Sequence, residues 1–367
     1  MTKIAAGIRT LADSLARPWL LFFALPWLMF LLVLGTVSQR YLGLYQAQKL
    51  FFGSFILWVG IIPLPGAYAT IGIIALGLCA KLILKSPLKK RSAGNIITHV
   101  STLVLLLGGL ITAVSREEGY MVLGQNDTSH VVSDYHQREL AIVKNDKLLL
   151  AIQDNKLHIG KIITSKGMPF SVNISHYCTN CKTVAREDSG VSMRGLATKL
   201  DIISVPADKE DAGNHAGALF EVHGAVVGDG MYLTSQGINE QPEIKIGKDT
   251  YQIFLRQTER DIPFNIHLLR FEKSEYPGTN VARSYRSDVE VVDGALKWNA
   301  VIEMNQPLRY RGYTLYQSSF IDTEGKLFTV LAVVKNSGEI FPYLAVTALC
   351  IGLIVHLMIT FSRWKAV

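Results

Sequence analysis

The stretch KLILKSPLKKRSAGNIITHVSTLVLLLGGLITAV, Lys81 to Val114, decides how the chain is built. Its first part carries Lys81, Lys85, Lys89, Lys90 and Arg91 and no acid; Ile96 to Val114 carries no charge. A helix needs roughly 20 apolar residues to cross a hydrocarbon core, so the uncharged part reads as a membrane span. Cations gathered beside a span stay on the cytoplasmic side. Moving outward, three more apolar runs appear. Trp19–Val37 is long enough to span and has no small-x-small site to close a cleaved signal peptide. Leu50–Leu84 is too long for one span and is broken by Pro63, Pro65 and Gly66. It is read as an interfacial helix over Phe51–Ile62, anchored by Trp58, followed by a span over Gly66–Leu84. Ile340–Phe361 is the fourth span.

Composition agrees. The 367 residues are 49% hydrophobic and only 18% charged, with 4 Cys and 12 Pro, which excludes a disordered, collagenous or disulfide-packed chain. The net charge of +7 is unevenly placed. Arg116–Glu339 holds 25 Lys and Arg against 29 Asp and Glu, a net of −4, and the remainder is +11. Ten of the 12 cations in that remainder cluster at Lys3, Arg9 and Arg17, at Lys81–Arg91, and at Arg363 and Lys365. All three clusters flank spans, so the basic balance sets topology and suits anionic lipid; it is not a nucleic-acid stripe.

The expected fold is an α-helical membrane protein of four transmembrane helices with a large external β-rich domain, sandwich- or barrel-like. Its order is a cytoplasmic N-terminus (1–18), helix 1 (19–37), an external loop with the interfacial helix (38–65), helix 2 (66–84), a basic cytoplasmic loop (85–95), helix 3 (96–114), the external domain (115–339), helix 4 (340–361) and a cytoplasmic C-terminus (362–367). In the domain, short β-rich runs such as LAIVK, TYQIFLRQ, DVEVVDG and LFTVLAVVK alternate with turn signals at Asn145-Asp146, Asp293-Gly294 and Glu324-Gly325. Ala207–Ala216 reads as a mobile loop.

Two histidines fall inside spans. His99 lies near the cytoplasmic end of the third, and His356 lies above the cytoplasmic end of the fourth. At 1.5 Å per residue their depths are roughly 5 and 10 Å, close enough to share a layer. An ionisable side chain in a membrane points to function, and neutral imidazole ligates haem iron. A His bonded to a neighbouring helix is the plainer reading. In the external domain, His176-Tyr-Cys178-Thr-Asn-Cys181-Lys182 is not a covalent haem site, because Lys182 stands where C-x-x-C-H needs its His. Nor is there a second ligand pair for zinc. The pair is either a structural disulfide or a redox couple that exchanges with a partner thiol. Cys79 and Cys350 lie in spans as small apolar residues, and Gly108-Gly109 is helix-packing material. His130, His136, His158, His215, His223 and His267 show no metal spacing, and serine-nucleophile and phosphate-loop patterns are absent.

The end of the domain is more specific: Pro263-Phe264, Phe271, Tyr276-Pro277-Gly278, Tyr285, Ser287-Asp288, Asn305-x-Pro307-Leu308, Gly312-Tyr313 and Tyr316-Gln317-Ser318. Together with GTVSQ at Gly35–Gln39, QKLFF at Gln48–Phe52, PLPG at Pro63–Gly66 and HVSTLVLLLGG from His99, this resembles the ResB/CcsB family of system II cytochrome c biogenesis. The resemblance implies a membrane subunit in the bacterial inner (cytoplasmic) membrane, both termini cytoplasmic. It would act with a CcsA/ResC-type partner, deliver haem b across the membrane and attach it to the C-x-x-C-H of apocytochrome c. Such a subunit is not catalytic alone. The chain has five Trp and no Trp-rich cluster, so the haem-presenting surface is expected on the partner, and its end after the fourth span marks the unfused form. The resemblance places His99 on the haem path, as a ligand to the iron if haem binds, and the depth argument adds His356. A thioredoxin-like reductant is a possible further partner, unless Cys178 and Cys181 do that work. Tyr310, Arg311, Tyr313, Tyr316 and Gln317 would form a surface for the partner subunit or for apocytochrome c. A scaffold that binds no haem is the remaining alternative.

Overall fold

The computed structural model describes residues 13–87, 89–187, 192–279 and 281–364. Lys3, Arg9 and Lys365 of the basic clusters, and most of the expected cytoplasmic N-terminus, lie outside them. The chain divides into a membrane unit (1–117, 311–313 and 334–367) and a β unit (118–310 and 314–333).

Among the described residues the membrane unit contains four helices long and apolar enough to cross a bilayer. They are α1 (Trp19–Leu42), α3 (Ala67–Lys85), α4 (Ala93–Ser115) and α5 (Phe341–Trp364), with a short α2 (Leu44–Ala47) after α1. Each span overlaps its expected position; α1 runs on through Ser38–Leu42, and α4 begins three residues earlier, at Ala93. Gly43, at φ 80°, ends α1 with its N–H on the Gln39 carbonyl. A π-helical turn at Gln48–Phe52 follows α2.

The helix expected over Phe51–Ile62 is not formed. Strands β1 (Ile56–Val59) and β2 (Ile62–Pro65) pair there as a hairpin. Pro63 and Pro65 exclude helix, β-branched and aromatic residues favour strand, and Gly60 at φ 63° makes the turn. Leu57 is buried, Trp58 is exposed, and Trp27 Nε1 donates to the Pro65 carbonyl at 2.8 Å.

Helices α4 and α5 meet along small residues, which let backbones approach closely. A Cβ on Gly94 would lie 2.4 Å from the His356 backbone nitrogen, and one on Gly352 2.9 Å from Thr98 N. A Cβ on Gly108 would lie 2.2 Å from Phe341 Cβ, whereas Gly109 faces open space. Thr112 Oγ1 bonds Asn336 Oδ1 at 3.1 Å.

The β unit is built on two long strands, β4 (Thr128–Lys144) and β13 (Asp249–Glu275). They pair antiparallel, with register shifts at Gln257/Glu259 and Asp261/Ile266. Around them a ten-stranded sheet runs β15-β14-β13-β4-β3-β18-β17-β16, with β5 on β4 and β12 on β13. These strands are β3 (Glu117–Gly124), β5 (Lys147–Gln153), β12 (Glu243–Ile246), β14 (Ala282–Asp293), β15 (Leu296–Glu303), β16 (Leu308–Tyr310), β17 (Tyr313–Thr323) and β18 (Lys326–Lys335). A second sheet, β11-β10-β7-β6, consists of β11 (Gly230–Ser235), β10 (Gly217–His223), β7 (Ser171–Cys178) and β6 (Ile162–Ile163). Strands β8 (Cys181–Ala185) and β9 (Leu200–Ser204) form a separate ladder.

Period-two alternation builds the core. Leu140 and Ile142 of β4 and Tyr251, Ile253 and Leu255 of β13 face Val172 and Ile174 of β7 and Ala218, Phe220 and Val222 of β10. This half is a sandwich. In the other half the large sheet curls so that β14 and β17 meet across its interior. Asn145 and Asp146, both at positive φ, make the expected β4–β5 turn, and Gly294 and Gly325 make the other two. The segment expected as a mobile loop is pinned: Asn214 is buried, takes the Asp208 N–H on Oδ1, and lends its carbonyl to Arg138.

Candidate functional site

His99 is set by the start of α4. Gly94 faces α5, and five residues on the helix has turned about 140° and risen about 7.5 Å, so His99 lies on another side. There it meets α3. Its Nδ1 is 2.6 Å from the Asn95 carbonyl oxygen, and its Nε2 is 3.0 Å from Lys81 Nζ. A carbonyl only accepts, so Nδ1 carries the proton and Nε2 presents its lone pair to the lysine. A second-side bond of this kind fixes the tautomer and orientation of a metal-ligating imidazole.

Around His99 and Lys81 lies a cleft of ≈ 300 Å³ between the start of α1, α3 and α4. Leu20, Leu21, Leu25, Ile74 and Leu78 give it apolar walls. Arg17, Lys81 and His99 are its charged or titratable members, and among the described residues no acidic side chain lines it. Asp13 pairs instead with Lys85, at 3.8 Å. The lining therefore suits a largely apolar group that carries negative charge. Arg17 and Lys81 were legible only as topology signals, because their meeting with His99 depends on how α1, α3 and α4 pack.

His356 is not brought to this site. Its backbone packs on Gly94, about a turn nearer the basic loop than His99, and its imidazole is exposed. The depth estimate failed because it counted each residue from its own span end, and helix ends do not share one plane. Among the described residues no group of three or more His, Cys, Asp and Glu is arranged to hold a metal ion.

Cys178 and Cys181 form a disulfide, with Cα atoms 5.7 Å apart. It closes the turn between β7 and β8. Both cysteines are buried, at 6% and 9% exposure. Hydrogen bonds hold the turn and the segment beside it. Cys181 N–H donates to the His215 carbonyl at 2.8 Å, and Arg138 donates from Nη1 to Thr179 O at 2.8 Å and from Nη2 to Asn214 O at 2.7 Å. His176 points to Ser204 Oγ, at 3.3 Å.

The five residues expected to share one surface separate. Gln317 is buried at 6% exposure and is removed from it. Its Oε1 accepts from Ser287 Oγ at 2.6 Å, and its Nε2 donates to Thr329 Oγ1 at 2.9 Å. Period-two alternation puts Tyr316, its neighbour, outside. Tyr310 is half-buried, its hydroxyl on Asp293 Oδ2 at 2.7 Å and its ring 4.7 Å from Trp298. Arg311 and Gly312, both at positive φ, turn the chain into β17. Lys335 Nζ lies 5.4 Å from the Tyr313 ring.

Four spans and a β domain threaded between the third and fourth define a polytopic membrane protein. The ResB-like family model matches residues 212–327, about a third of the chain. Protein NrfI of Wolinella succinogenes is 34% identical over 110 residues, which are 29% of this chain and 12% of that protein. The chain thus spans about an eighth of the length of this relative. The family match covers β10 to β17 and the first residues of β18, and His99 lies outside it.

Proposed function

We propose that this chain is the membrane subunit of a system II cytochrome c synthase. With a CcsA/ResC-type partner it passes haem across the bacterial inner membrane, for attachment to the C-x-x-C-H of apocytochrome c. The basic clusters support cytoplasmic termini and a β unit on the outer side. The observation that carries the reading is the His99 cleft, where an oriented imidazole lone pair opens between apolar walls beside two cations and no acid. Haem has complementary parts: an iron that takes imidazole, an apolar macrocycle and two propionates. The cleft is small against a whole porphyrin, so it holds one edge, and the partner subunit covers the rest. The exposed residues Tyr316 and Arg311 remain the surface for partner or apocytochrome. The buried disulfide favours a structural role for Cys178 and Cys181, which leaves thiol reduction to a separate thioredoxin-like protein.

The test is a visible spectrum and pyridine haemochrome assay on the detergent-purified chain. A Soret band that His99→Ala abolishes and His356→Ala spares is the expected result. Absence of haem from the chain both alone and with its partner would sink the reading in favour of a scaffold.

A further inference from the structure

The contact between Lys81 and His99 carries a consequence for how the cleft loads, one that rests on the haem reading above. The Nε2 lone pair of His99 serves one electrophile at a time. In this structure that electrophile is the Lys81 ammonium, 3.0 Å away. A bound iron needs the same lone pair. The Asn95 carbonyl, 2.6 Å from Nδ1, prevents the ring from offering its other nitrogen without losing that bond. Lys81 must therefore leave before His99 can ligate. Its half-buried ammonium cannot be left in an apolar cleft without a counter-charge, because unpaired charge in low dielectric is costly. Among the described residues no acidic side chain lines the cleft to receive it. The incoming molecule has to bring the anion.

We propose that Lys81 is a positioning residue that exchanges partners: it caps the His99 Nε2 lone pair until a porphyrin carboxylate takes its ammonium, which frees that lone pair for the iron. The exchange swaps hydrogen-bond partners and transfers no proton. Arg17, exposed on the same cleft, is placed for the second carboxylate. The arrangement makes ligation conditional on the anionic edge. A porphyrin without free carboxylates has nothing with which to draw Lys81 away, and the cleft discriminates against it.

The test uses the full chain in nanodiscs, titrated with two probes, ferric haem and its dimethyl ester. Binding is read from the Soret shift and from the low-spin signature of imidazole ligation. The wild type should bind haem more tightly than the ester. Lys81→Met should weaken haem by roughly tenfold, the size of one charge-assisted pair in a partly buried site, while leaving the ester as tight or tighter. Lys81→Arg should retain the preference for haem. His99→Ala should lose the imidazole signature with both probes, and circular dichroism and gel filtration check that each variant is folded. Equal loss for both probes in Lys81→Met, or an unchanged preference, overturns the exchange while leaving the haem reading standing. An unaltered signature in His99→Ala overturns the haem reading and the exchange with it, and a wild-type chain that binds neither probe overturns the exchange.

Discussion

Replacing Gln317 with Leu keeps the volume of the side chain and deletes its amide, which probes the polar cluster inside the curled half of the β unit. In the native cluster Ser287 Oγ donates to Gln317 Oε1, Gln317 Nε2 donates to Thr329 Oγ1, and the two hydroxyls lie 3.0 Å apart. Ser287 and Thr329 are fully buried, so no water replaces a lost partner. After the change the two hydroxyls still bond each other, but one hydroxyl hydrogen has no acceptor. The Ser319 carbonyl, the third partner of the amide, lies on an exposed residue and turns to solvent. One unmet buried group plus the lost bonds amounts to about 2–4 kcal/mol. For a domain of this size that lowers the melting temperature by roughly 5–15 °C.

The assay is thermal unfolding of the detergent-solubilised chain, followed by far-UV circular dichroism in the β region. Tyr316→Ala, one residue away on the exposed face, serves as the reference. The triple change Ser287→Ala, Gln317→Leu, Thr329→Val removes every member of the cluster and should recover most of the loss, since an apolar replacement of all partners is nearly neutral. If Gln317→Leu melts with Tyr316→Ala, or if the triple change is worse than the single one, the cluster does not hold the curl together and the reasoning fails.

Three further outcomes are expected. Burial, with the Asp154 carboxylate adding to it, pushes the Tyr177 phenol well above the ordinary tyrosine range. Above about pH 10 the unfolded chain releases that proton while the folded chain keeps it, so stability falls as pH rises, and Tyr177→Phe should flatten the fall in melting temperature between pH 9.5 and 11. A Cβ on Gly94 meets the His356 backbone, which cannot swing aside, so Gly94→Ala should cost about 1–3 kcal/mol in thermal unfolding of the solubilised chain, while Gly109→Ala, facing open space, should cost nothing measurable. The buried disulfide should resist mild dithiothreitol in the folded chain, as read by alkylation and mass spectrometry. Replacing both cysteines with Ala should remove about 2 kcal/mol, the chain-entropy value for so short a loop.

Much of this architecture was legible because its signals are local. Nineteen uncharged residues after a basic loop can only be a span, and Asn145-Asp146 between apolar runs can only be a tight turn. Strand β7 alternates at Val172 and Ile174, but its partner β10 comes from a distant part of the chain, so its place in the sheet is set by packing that no local pattern shows. The hairpin at Ile56–Pro65 was mistaken for helix because an apolar run of that length carries no periodicity that separates the two; its prolines were the better guide. His99 was legible as an intramembrane imidazole. Its partners were not, since Arg17 and Lys81 stand 82 and 18 positions away and only the packing of α1 and α3 joins them to it.

The Tyr-Gln-Ser motif shows why a signature and a site are different things. Tyr316-Gln317-Ser318 helped to carry the family resemblance, and its central residue turned out to be an interior strut, bonded to Ser287 of another signature pair. The family match over residues 212–327 therefore reports chiefly on how the β unit is held together. The His99 cleft sits elsewhere, lined by no residue of that match. A relative that matches over the β segment is similar in the scaffold, and the match does not extend to the His99 cleft. In any such relative the place to look is the inner end of the third span, for a His whose carbonyl partner lies four residues before it and whose lone pair meets a cation from the second span.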